Sequence, residues 1–167
     1  MSQFADVEGA ARVARVGAGF EWTWTRGDFA GFCAATGFRE ERGSVLGVVL
    51  RSDLDVGRRE VYVFTDRGDA TDIARAGQEI EDIVMCAADL AEVAAGDMKA
   101  EVARHYSVLC DRLVAELGLP TRSGAREVLW DRPRVVISLA PLDNSVALSF
   151  TNPIYQEWDD AQAMAEY

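Results

Sequence analysis

"QEIEDIVMCAADLAEVAA", residues 78–95, sits between two groups of strand-like segments, and its own reading decides what those groups can build. Ile80, Ile83, Val84, Ala87, Leu90 and Ala94 recur at helical spacing, which predicts a helix with one apolar side. On such a helix Glu81, Asp82, Met85, Asp89 and Glu92 gather on the opposite side, and no basic residue lies between Arg75 and Lys99 to offset the acids. Like charges one turn apart repel by roughly a few tenths of a kcal/mol, so the helix gives up some stability to carry this face. Two readings follow: a solvated acidic surface, or a surface on which a basic protein docks.

Upstream, "SVLGVVLR" (44–51) and "REVYVFTD" (59–66) flank the turn-rich "SDLDVG" and predict a hairpin, with "DATDIARA" (69–76) as a weaker third strand. Downstream, Asp97 stands ready to cap a helix whose stripe is Val102, Tyr106, Leu109, Leu113 and Leu117, closed by "GLP" at 118–120. After the polar loop "TRSGA", the segments "REVLWD" (126–131), "RVVISLA" (134–140) and "SVALSFT" (145–151) predict a second meander. Two meanders and several helices in this order give an α+β fold. Its sheet is mostly antiparallel with helices packed on it, in one domain spanning residues 1–167.

Nearer the N-terminus, residues 3–17 carry helical spacing and end at glycines. In "FEWTWT", Phe20, Trp22 and Trp24 alternate with polar residues, as an extended segment with one apolar side requires. Thr25 and Asp28 then resemble a capping box ahead of a short helix with Phe29, Phe32, Cys33 and Thr36 on one side and Gly37 at its end. Because both aromatic groups obey a packing period, they predict core; an apolar ligand beneath Trp22 and Trp24 stays open.

The formal charge of -11 is uneven: seven acids face one base in residues 76–103, and five face none in 135–167. A surface of this sign repels phosphates and anionic lipids and draws basic partners, so nucleic-acid and membrane binding are not expected. The chain lacks a long apolar run, and its N-terminus lacks a basic stretch followed by one, so a cytoplasmic location is expected. Cys33, Cys86 and Cys110 are odd in number and widely spaced, which argues against a disulfide framework.

No catalytic pattern emerges. "VVLRSDLDVG" (48–57) resembles the opening of the haloacid-dehalogenase phosphatase signature, but the phosphate-binding lysine and later acidic pair have no counterpart, so Asp53 and Asp55 read as turn residues. His105 is the sole histidine, which rules out a multi-histidine metal site, and it falls within a helix beside Tyr106. Neither G-x-S-x-G nor a glycine-rich phosphate loop occurs. The expectation is a non-enzymatic protein with no cofactor and no metal.

"NPIYQEWDDAQAMAEY" (152–167) begins with Asn152 before Pro153, a cap and first-turn proline, and predicts a final helix. Trp158, Asp159 and Asp160 on it suit an arginine-rich surface, and packing of Trp158 on the sheet is the alternative. The "FEWTWTRGDFAGFCAATGF" segment and the late "LGLPT" and "VLWDRPRVVISLAPLDNSVALSFTNPIYQEWDD" segments resemble a family of small uncharacterised actinobacterial proteins, a domain of unknown function. In size and acidity these are similar to immunity proteins of polymorphic toxin systems and to small secretion chaperones. The resemblance implies binding of a basic toxin or of an apolar client segment, with no catalytic residues to carry over. Pairing of opposite sheet edges into a homodimer is a further arrangement the residues leave open.

Overall fold

A computed structural model describes residues 4–44, 47–65, 79–124 and 126–166. Along the chain run α1 (Val7–Gly19), α2 (Asp28–Thr36), β1 (Arg39–Ser44), β2 (Gly47–Arg51), β3 (Glu60–Thr65) and β4 (Ile80–Asp89), then α3 (Met98–Leu117). The second half is β5 (Arg122–Ser123), β6 (Val128–Asp131), β7 (Val136–Pro141), β8 (Ser145–Thr151) and α4 (Pro153–Ala165). These strands form one sheet of order β1-β2-β3-β4-β8-β7-β6-β5, antiparallel at every pairing. The α+β architecture expected from the sequence is therefore present: each half contributes a meander, and β4 pairing with β8 joins them.

The segment read as an acidic helix at 78–95 is instead β4, a central strand. Two bulges account for the misreading: the register shifts where β4 meets β3, between Asp82 and Ile80, and again where it meets β8, between Cys86 and Ala88. Each bulge adds one residue to a two-residue alternation. The side chains turned to the core, Ile80, Ile83, Met85, Ala88 and Leu90, are thus separated by three, two, three and two residues, close enough to helical spacing to mimic it. "DATDIARA" lies outside the described residues. β1 and β5 were not anticipated, because "REERGS" and "RS" carry almost no apolar signal.

The two faces of the sheet use alternate residues of the same strands. Val63, Ile83, Phe150, Ile137 and Trp130 lie directly across from one another in register and form a buried row beneath the helices. The Gly17 of α1 lies so close to the Phe150 ring that a Cβ there would collide with it. The aromatic stretch at 20–38 fills this layer: Trp22 and Trp24 are 6% and 7% exposed and stack with centroids 4.5 Å apart. Phe32 packs on Trp22, Phe38 and Phe150. Each indole nitrogen finds a carbonyl, Trp22 on Gly17 at 2.8 Å and Trp24 on Arg134 at 2.9 Å, as buried N–H groups require. These tryptophans are core, as their spacing predicted.

Local signals at the helix ends behave partly as expected. Gly37 adopts φ 85° and closes α2, and the Asn152 side chain accepts the Ile154 amide at the start of α4. Thr25 is not the cap of α2; Gly27 holds that position, and the buried Asp28 carboxylate reaches back to the amides of Thr23 and Trp24 at 3.0 and 2.8 Å. Asp97 occupies the N-cap of α3 without a side-chain bond to it. Asp53 and Asp55 are turn residues paired with Arg12 and Arg59.

Candidate functional site

The second sheet face carries the chemistry. On β3 the outward side chains are Tyr62 and Phe64, each 47% exposed, an unusual pair of large rings to leave in water. Opposite them on β4 stand Val84 and Asp82, and beyond these on β8 Ser149 and Thr151. α4 lies against the far part of this face, where Arg122 of β5 reaches Asp160 at 3.1 Å and also pairs with Asp131. Between α4 and the strands runs a cleft of about 470 Å³. Among the described residues its lining holds the carboxylates of Glu81, Asp82, Glu127, Asp159 and Asp160, and no arginine or lysine.

Asp82 is the half-buried floor of this cleft. The Thr151 hydroxyl donates to its Oδ1 at 3.0 Å. Burial dominates its titration and, with Glu81 and Asp159 alongside, pushes it up to about 6 against the opposing Thr151 and Ile83 hydrogen bonds. At the far end Asp160 behaves oppositely, held below the ordinary range chiefly by its hydrogen bond from Arg122. Within a single lining, Asp160 is thus paired with Arg122, while no cation among the described residues pairs with Asp82.

The residues singled out in the sequence separate into two groups. Glu81, Asp82, Asp159 and Asp160 come together at the cleft, although the first two arrive on a strand rather than a helix. Met85 does not: the strand alternation turns it into the core. Asp89, at the strand's end, pairs with Arg58 at 3.6 Å and accepts the Ala91 amide, and Glu92 lies exposed in the turn beyond. Trp158 is 58% exposed and meets Tyr155 edge-on, so it is not packed into the sheet. Tyr62 and Phe64 were missed, yet "REVYVFTD" has apolar residues at both parities, the pattern of a strand apolar on both sides.

The remaining reactive side chains sit elsewhere. His105 contacts Phe4, Arg104 and Glu101, and burial, aided by Arg104, lowers its pKa. Burial raises all three thiols, Cys86 up to about 11, so none is primed as a thiolate. Tyr106 buries its hydroxyl without a hydrogen-bond partner among the described residues, and burial, with the Cys110 thiol next, raises its pKa. A second groove of about 610 Å³ runs between α3 and the β7–β8 turn, lined by Met98, Val102, Tyr106 and Leu142 with Lys99 and Asp143 at its margin. Among the described residues no cluster of three His, Cys, Asp or Glu could hold a metal ion, and no helix is long and apolar enough to cross a membrane.

No curated protein and no solved structure matches the chain. A family model does match, over residues 8–152, from the second residue of α1 to the cap of α4 and so across the whole described sheet. The chain belongs to a family of unknown function (DUF6301).

Proposed function

We propose that this chain is a non-enzymatic, cytoplasmic protein-binding domain whose second sheet face receives a basic protein; an immunity protein that masks a basic toxin is the sharpest form of this reading. The observation that carries it is the cleft beside α4, where the described lining holds five carboxylates and no base, next to two exposed rings on β3. Aromatic surface supplies the contact area and the carboxylates supply the sign, which favours a cationic protein surface and opposes phosphate backbones. The test is capture from native-host lysate with wild type and with the Tyr62→Ser/Phe64→Ser double variant. A basic protein held by wild type, released by salt and lost in the variant is the expected result. Capture of the same protein by both forms would remove the face from the reading, and the absence of any basic protein would remove the reading itself.

A chaperone for an apolar client segment is the alternative, favoured by the α3 groove with Met98, Val102, Tyr106 and Leu142. Salt separates the two. Binding through the acidic cleft weakens between low and high ionic strength, whereas binding in the α3 groove holds or tightens.

A further inference from the structure

We infer that the cleft is a receptor for an arginine side chain of the basic partner, with the guanidinium seated on the Asp82 carboxylate and its plane against the Phe64 ring. This rests on the binding reading above and specifies its central contact. Phe64 and Asp82 are direct cross-strand partners, which sets their Cβ atoms about 5 Å apart on the same face. Thr151, opposite Asp82 on its other side, donates to Oδ1 and so fixes the orientation of the carboxylate. The ring is half in water, and no cation of the described residues pairs with this carboxylate.

Arginine fits this geometry better than lysine. Its planar group pairs with a carboxylate through two parallel N–H donors, stacks on an aromatic face and sheds water more readily than an ammonium. The protein's own Arg122 is held at the far end by Asp131 and Asp160. Glu81 of the same strand and Asp159 of α4 act on Asp82 as like charges, so an arriving cation relieves repulsion as well as pairing. Because Asp82 is raised to about 6 in the free protein, an arginine arriving below that pH must displace a proton, and affinity falls as the medium is acidified.

The experiment titrates the full chain at low salt with two capped, otherwise identical Gly/Ser peptides, one carrying arginines and the other lysines, by calorimetry and by amide chemical shifts. The arginine peptide is expected to bind roughly fivefold or more tightly than the lysine peptide. Its shifts should centre on β3, β4 and α4, and its affinity should drop between pH 7.5 and 5.5. Asp82→Asn should erase both the arginine preference and the pH dependence, and Phe64→Ala the preference alone. Equal affinities in wild type, or a preference that survives Asp82→Asn, overturns the arginine seat and leaves the basic-partner reading standing. Failure of both peptides to bind overturns the seat, and only if the lysate capture also yields no basic protein does the wider reading fall with it.

Discussion

The two faces of this sheet are made by the same strands, residue by residue in alternation, yet they behave as different materials. On one, Val63, Ile83, Phe150, Ile137 and Trp130 are sealed under α1, α2 and α3, and even a methyl group at Gly17 has no room. On the other, Tyr62 and Phe64 stand half in water beside a carboxylate that burial has made reluctant to ionise. The difference shows where free energy was committed to stability and where it was withheld. Filling the second face with aliphatic side chains and covering it would add stability; leaving rings and acids there keeps a surface that a partner can complete.

Substitutions on the two faces sharpen this contrast. Trp22→Ala removes a stacked, hydrogen-bonded indole from the sealed side and is expected to cost about 3–5 kcal/mol in chemical denaturation, enough to threaten folding. Asp82→Asn should act in the opposite direction. The folded-state value near 6 lies above the ordinary 3.8, so the folded protein holds a proton the unfolded chain has lost, and the Asp82 contribution to stability falls as pH rises through that window. The variant should therefore be more stable than wild type by on the order of 2 kcal/mol at pH 7.5, with the difference vanishing near pH 4. Gly37→Ala forces a side chain into a left-handed position and against the Asp53 carboxylate, and a loss of about 1 kcal/mol is expected. Phe64→Ser should shift the midpoint by less than about 1 kcal/mol while weakening partner capture, because its ring is already half exposed. Large destabilisation by Phe64→Ser would place that residue with the sealed face and break the comparison.

Much of the architecture was legible before the structure. Strand alternation in "RVVISLA" and "SVALSFT", the glycine at 37 and the Asn–Pro start of α4 each reported their own local structure, because each rests on contacts within a few residues. β4 was not legible. Its bulges are set by its neighbours β3 and β8, and nothing within 78–95 discloses them. Glu81, Asp82, Asp159 and Asp160 were nonetheless singled out and do line one cleft, since charge imbalance does not depend on whether the backbone is helical. Their convergence could not be foreseen, because it depends on β4 pairing with β8 and on α4 folding back over the sheet. Met85, Asp89 and Glu92 were grouped with them only through an angular relation that a strand does not have.

The β4–β8 seam also governs how the protein is made. Asp82 and Thr151 meet across 69 residues, so during synthesis the first meander is complete long before its last neighbour leaves the ribosome. Throughout that interval β4 is a nascent sheet margin with its amides and carbonyls open to any passing strand. The bulge it forms against β3 interrupts the regular spacing a stray strand would need, and Glu81, Asp82 and Asp89 repel copies of the same nascent segment on neighbouring chains. One of the irregularities that disguise this strand as a helix, together with its acids, thus opposes stray pairing until β8 arrives to close the sheet.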